Sequence, residues 1–129
     1  MMKIVFNIDA PSPDPPSDPR ITLVKQQYPD LPDDVIDING PIVAAGGNLQ
    51  MGEGDTVKIE LYEGGEPVAQ LDEANESIAN IVSIPTAISF SIASNGSTVP
   101  DGAWWGKDVL LTVTAGGKVA TRWVRFQEH

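Results

Sequence analysis

The 129-residue chain has no cysteine, a single histidine, and 8 Lys+Arg against 18 Asp+Glu, a formal charge of −10. Without cysteine there is no disulfide framework, no thiolate nucleophile and no cysteine-ligated metal. The one imidazole, His129, is the final residue of the sequence, where chains fray and a general base is poorly held. The shortage of basic residues disfavours a phosphate backbone as partner, so no nucleic acid is expected. Long hydrophobic runs are also missing. The longest, around residues 81–92, is broken by Ser, Pro and Thr, well short of the ~20 apolar residues of a membrane span. Residues 1–9 hold one lysine and a broken apolar run, less than the roughly 7 to 15 apolar residues of a signal peptide. The expectation is a soluble chain, made in the cytoplasm without a leader and with no membrane partner.

Motifs that carry chemistry are equally scarce. The glycine pairs separate apolar runs, and none is followed by Lys-Ser or Lys-Thr, so they are turn glycines and not a phosphate loop. Acids are plentiful, but no pair of carboxylates stands out as an acid and base flanking a glycosidic bond. Asp30, Asp33, Asp34 and Asp37 cluster in a stretch containing Pro29 and Pro32, without the alternate-residue spacing, central Gly and closing Glu of an EF-hand. That stretch reads as a solvated acidic loop, with calcium left open as the alternative. No enzyme activity, cofactor or metal is expected.

Proline and glycine, by contrast, are abundant and organise the chain. Residues 10–19, Ala-Pro-Ser-Pro-Asp-Pro-Pro-Ser-Asp-Pro, hold five prolines in ten positions, which excludes helix and interior strand because each proline lacks an N–H donor. In polyproline II geometry this segment spans roughly 30 Å. Upstream lies the β-prone run Lys-Ile-Val-Phe-Asn-Ile at residues 3–8. Residues 1–20 therefore read as an extended arm with a short strand, and residues 21–129 as one domain.

In that domain Gly46-Gly47, Gly52, Gly54, Gly64-Gly65, Asn95-Gly96, Asp101-Gly102 and Gly116-Gly117 punctuate short apolar runs, the pattern of an antiparallel all-β fold. Residues 20–25 read as a strand. Val57, Ile59 and Leu61 alternate with Lys58, Glu60 and Tyr62, so one side of that strand is buried and the other wet. Glu63-Gly64-Gly65-Glu66 supplies the hairpin turn that follows. Ile84, Ile88, Phe90 and Ile92 share the parity of a further strand, with Pro85 near its start. Residues 71–78 form the one candidate helical fragment, its acids suited to a first turn.

For the last hairpin, a three-residue loop at Ala115-Gly116-Gly117 sets Val113 opposite Val119, Leu111 opposite Thr121 and Val109 opposite Trp123. A two-residue Gly116-Gly117 loop would place Leu111 opposite Arg122 and mix charge into the core, so the first register is preferred. The other face then carries Leu110, Ala120, Val124 and Phe126 beside Arg122, too apolar for a purely solvated surface. Either a bulge turns the last residues inward or this face meets a partner. Unbroken strand geometry through Gly106 puts Trp105 on the core face and Trp104 outside. Core and rim packing is the plainest role for the tryptophans, a partner anchor the next and a saccharide platform the last.

Residues 52–57, Gly-Glu-Gly-Asp-Thr-Val, with the alternating strand, the Glu-Gly-Gly-Glu turn and the C-terminal hairpin, resemble an immunoglobulin-like antiparallel β-sandwich. The paired cysteines and central tryptophan of antibody-type domains are absent. The whole organisation, a β-prone start, a proline-rich arm and an acidic β-domain without a leader, resembles the decoration or cement proteins of tailed-bacteriophage capsids. The resemblance implies a structural virion protein, synthesised in the host cytoplasm, that binds the outside of the major capsid protein lattice and neighbouring copies of itself. Ile4, Val5, Phe6 and Ile8 would then add a strand to a neighbour's sheet, and Trp104, Leu110, Arg122, Val124 and Phe126 would make the second contact. On that reading Trp104→Ala and Phe126→Ala weaken association more than they lower the melting temperature. The alternative is a carbohydrate-binding or adhesion module of a phage tail or surface structure, using Trp104.

The acid surplus is uneven. Residues 1–76 contain 15 Asp+Glu and 4 Lys+Arg, whereas residues 77–129 contain 3 and 4. The near-neutral second part is therefore the better candidate for contact, and the acidic first part for the solvated side.

Overall fold

The computed structural model describes residues 18–26, 30–38, 40–74, 76–92 and 104–127. The strand expected at residues 3–8, with Ile4, Val5, Phe6 and Ile8, lies outside them. The described residues form nine strands and no helix: β1 Arg20–Gln26, β2 Val35–Ile36, β3 Ile42–Gly47, β4 Val57–Glu63, β5 Glu66–Asp72, β6 Ile78–Ile84, β7 Ala87–Ile92, β8 Asp108–Ala115 and β9 Lys118–Phe126. They make two sheets, one in the order β2-β9-β8-β4-β5 and one in the order β1-β3-β7-β6. Short β2 runs parallel to the end of β9, and every other pairing is antiparallel.

The two sheets share one core, as a β-sandwich-like fold requires. Val57, Ile59, Leu61, Val109, Leu111 and Val113 of the five-stranded sheet join Val24, Ile42, Ala44, Ile88 and Phe90 of the four-stranded sheet in a single buried cluster. Alternation explains it: each strand sends every second side chain inward, and full burial of such a residue contributes roughly 1.5–3 kcal/mol before entropy is counted. The alternation read for β4 is present, with Val57, Ile59 and Leu61 inside and Lys58, Glu60 and Tyr62 facing outward. The Gly64-Gly65 turn joins β4 to β5 with φ values of 63° and 84°, conformations that glycine adopts without a Cβ penalty.

Gly46 has a different reason for being glycine. It sits opposite Ile21 where the β1–β3 register shifts, and a Cβ there would lie 1.8 Å from the backbone oxygen of Arg20. The strands approach too closely at this irregularity for any side chain.

Three local expectations are corrected. The described residues of the 71–78 stretch hold no helix: Leu71 and Asp72 end β5, a turn closes through Ser77 N–H donating to Asp72 C=O at 3.0 Å, and Ile78 opens β6. Glu76 at φ 65° is left-handed and cannot propagate a helix, while Leu71, fully buried, is required in the core as a strand residue. Ile84 does not share the buried row of Ile88, Phe90 and Ile92. It ends β6, the Pro85-Thr86 turn resets parity, and it is 52% exposed.

The third correction concerns the last hairpin, which adopts the rejected register. Lys118 pairs with Ala115, Ala120 with Val113, Arg122 with Leu111 and Val124 with Val109. The loop is the two-residue Gly116-Gly117 turn, with both glycines at positive φ (62° and 78°), as the right-handed twist of the flanking strands favours. Charge does not enter the core, because the long Arg122 side chain leaves it for Asp34 at the rim. One register shift reverses both faces of β9. Val119, Thr121 and Trp123, expected inside, face outward, and Ala120, Val124 and Phe126 face the core.

Candidate functional site

With that register, the outer face of the five-stranded sheet carries the most distinctive surface among the described residues. Trp123 on β9 is 53% exposed and stands opposite Leu110 of β8, which is half-buried. Tyr62 on β4 meets the indole edge-on, with ring centroids 5.3 Å apart and planes at 68°. This T-shaped contact is a preferred aromatic geometry, and it fixes the indole without covering it. Val119, 59% exposed, and Thr121 continue the row of Trp123 toward the start of β9.

The two rings help to line an open surface hollow of about 680 Å³, together with Gly65, Lys107 and Asp108. Its rim is polar. Asp108 pairs with Arg125 at 3.3 Å, and Lys58 pairs with Glu60 at 3.6 Å on the same face of β4. Aromatic faces beside a few polar groups can hold a flat or extended partner by apolar contact while the rim orients it. The arrangement suits binding.

The other residues expected at this contact are placed differently. Trp104 is 3% exposed and Val124 also 3%, while Phe126 is fully buried. Phe126 packs between Trp104, at 5.9 Å, and Trp105, at 5.3 Å between centroids. The tryptophan parity failed because residues 104–106 form a turn, with Gly106 at φ 75°, and not a strand. Among the described residues of the expected set, only Leu110 lies on the outer face. Tyr62 and Trp123 were missed as a pair, although the two-residue glycine turn and the alternation of β4 together would have brought them to one face.

The acidic stretch is not simply solvated. Asp30, its side chain 85% exposed, pairs with Lys25 at 3.0 Å. Asp37 is buried and bonded to Gln26, accepting from the side-chain amide and donating its own N–H to Gln26 Oε1 at 2.8 Å. Asp34 takes both arms of Arg122, from Nε at 2.8 Å and Nη2 at 2.7 Å, and accepts from the Val24 amide at 2.9 Å. The Arg122 fork holds the Asp34 carboxyl below its usual range; burial opposes this, and the Val24 bond adds to it. The same pair raises Arg122. These bonds serve the fold: they anchor the β1–β2 connection to β9. Among the described residues no group of three or more His, Cys, Asp or Glu is placed to hold a metal ion.

Asp55, in the Gly-Glu-Gly-Asp motif, has a similar structural task. Its carboxylate accepts from Gly52 N–H at 2.7 Å, Gly116 N–H at 2.8 Å and Gly117 N–H at 3.2 Å, and these bonds lower its pKa. One exposed carboxylate thus ties the β3–β4 connection to the last hairpin turn.

Comparison of the chain with protein-family models, with curated proteins and with solved structures finds no match.

Proposed function

We propose that the chain is a structural, non-catalytic protein of a virion, decorating and stabilising a tailed-phage capsid by binding the outside of the major capsid protein lattice and neighbouring copies of itself. The observation that carries this reading is the distribution of exposed large apolar side chains over both sheets. Val68, Val119 and Trp123 stand on the five-stranded sheet, and Val43, Val82 and Ile84 on the four-stranded sheet. A protein that bridges neighbours needs two separate contact surfaces, and repetition over a lattice converts weak contacts into durable attachment. The strand order supports an immunoglobulin-like type of sandwich: β1-β3-β7-β6 follows the order A-B-E-D, and β9-β8-β4 follows G-F-C with β5 as an added neighbour of C.

The contact residues differ from those first expected, since Trp123 replaces Trp104 as the aromatic anchor. Trp123→Ala is expected to weaken sedimentation with shells of the major capsid protein by more than about tenfold, the effect of a central aromatic hot spot. The change leaves the urea midpoint nearly unmoved, because the lost side chain is mostly exposed. Unchanged sedimentation would overturn the reading. The carbohydrate-binding alternative draws on one observation, the Tyr62–Trp123 hollow with Lys107 and Asp108 at its rim. A glycan array separates the two readings: saccharide binding lost in Trp123→Ala favours the alternative.

A further inference from the structure

We infer that the outer face of the four-stranded sheet is a weak two-fold contact between copies of this chain. It gives a surface to the contact between copies in the reading above, rests on that contact, and is independent of the identity of the particle.

The face follows from the pairing register. Val43, Ser89 and Val82 form one row across β3, β7 and β6, and Ala45, Ala87 and Ile84 form the next. Ala45, Ala87 and Ser89 are short and half-buried, whereas Val82 and Ile84 stand more than half exposed along β6. The middle of the face is therefore shallow and one side raised. Two copies of such a surface can fill one another at the roughly 10 Å spacing of packed sheets.

Charge selects a second copy as the occupant. The chain carries −10, so two copies repel one another through their acidic surfaces. None of its 18 Asp+Glu falls within the strands of this sheet, whereas the five-stranded sheet holds Glu60, Glu63, Glu66, Asp72 and Asp108. A basic partner would be drawn to that second sheet instead. The ionic residues of the four-stranded sheet are Arg20 and Lys25, both on edge strand β1, and Glu73 and Glu76 lie in the turn that leads into β6 at the opposite edge. A two-fold axis parallel to the strands, between the two faces, sets β1 of each copy on the side of β6 of the other. Opposite charges then share a side, and like charges are kept apart.

The contact is made by the face and not by the sheet edge. β6 ends its sheet, but strand addition there is obstructed: the β6–β7 register shifts between Ala79 and Val82, Asn80 stands at φ 59°, and Gln50 Nε2 donates to Ser83 C=O at 3.2 Å. Four strands about 4.8 Å apart and about six residues long give a face of about 400 Å² per copy. The pair buries about 800 Å², short of the roughly 1,200–2,000 Å² of a stable interface, so the dimer is weak, with a dissociation constant of about 0.1–1 mM. Free chains at micromolar concentration stay monomeric. Copies held side by side on a particle reach an effective concentration of about 1 mM, and there the contact forms.

The absence of cysteine makes the test direct. Thr86→Cys, in the exposed turn between β6 and β7 at the rim of the face, accepts a single nitroxide. This chain is mixed at about 0.5 mM, within the range expected for the contact, with methyl-labelled chain that carries no spin label. The oxidised nitroxide is expected to broaden the methyl signals of Val43, Val82 and Ile84 in the other copy, to leave those of Val119 on the opposite sheet sharp, and to lose its effect on reduction. Val82→Glu with Ile84→Glu in both chains is expected to weaken association more than about tenfold and to restore the Val43 signal. Val119→Glu with Thr121→Glu adds the same charge to the other sheet and is expected to leave the broadening of Val43 in place. All four positions are exposed, so both variants keep the dispersed spectrum of the folded chain. Three results overturn the inference: no broadening at the three residues, which leaves the face to a different partner; equal broadening of Val119; or broadening of Val43 that survives Val82→Glu with Ile84→Glu. No particle is present in these samples. A chain that dimerises but ignores shells of the major capsid protein contradicts the capsid reading alone, and a chain that binds shells without this broadening contradicts the two-fold contact alone.

Discussion

Phe126→Ala is expected to destabilise the domain by about 3–5 kcal/mol, the range for removing a buried aromatic ring. Phe126 is fully buried, with the Trp104 and Trp105 rings at 5.9 and 5.3 Å. Its backbone also closes the end of the fold: Phe126 N–H donates to Lys107 C=O, and Gly106 N–H donates to Phe126 C=O, both at 2.8 Å. Stabilities of such domains are about 5–15 kcal/mol, so the loss removes a large share of the total. Urea unfolding followed by tryptophan fluorescence measures it, and a change below about 1 kcal/mol would contradict the packing described. This reverses the expectation from sequence that Phe126→Ala acts mainly on association. The side chain with that role is Trp123, which can be removed with little effect on folding.

The contrast between Phe126 and Trp123 shows how far the sequence could be read. Strand β4 and its glycine turn were legible, because both follow from local rules: period-two alternation, and two glycines able to take positive φ. The all-β class followed from the same punctuation. The last hairpin failed on a non-local fact. Rejecting the two-residue turn assumed that Arg122 opposite Leu111 would bury an unpaired charge, whereas its partner Asp34 lies 88 positions earlier. No local pattern reports such a pair. The candidate site inherited the error, since one residue of register exchanges the faces of β9 and moves Val124 and Phe126 from surface to core and Trp123 from core to surface. Leu110, on β8, was placed correctly because its parity does not depend on that turn.

Asp34→Ala is expected to cost about 3–5 kcal/mol, from two sources that can be separated. The first is the paired fork with Arg122: side-chain exposures of 29% and 32% keep both groups partly shielded from water, and charge-assisted bonds of this kind contribute roughly 1.5–3 kcal/mol. The second is the backbone, because Asp34 sits at φ 61°, where alanine is strained by about 1–2 kcal/mol and Asp or Asn is tolerated. Asp34→Gly removes the strain but not the lost pair, so it should lie about 1 kcal/mol closer to the wild type than alanine does. Asp34→Asn removes the charge and turns one acceptor oxygen of the fork into an amide donor, and because it does not titrate it tests the pH dependence. The folded pKa of Asp34 is lowered, chiefly by the Arg122 bond, so its stabilisation is complete above the unfolded carboxyl value near about 4 and is lost as pH falls through the folded value. Wild-type stability should therefore decline below about pH 4 more steeply than that of Asp34→Asn. The decline that remains in Asp34→Asn is expected in part from Asp55, whose pKa is lowered by the amides of Gly52, Gly116 and Gly117. Urea midpoints of the two proteins between neutral and acid pH decide the point: parallel curves would mean that the Asp34–Arg122 pair contributes nothing in solution, and convergence at low pH means that it is the charge on Asp34 that holds the β1–β2 connection to β9.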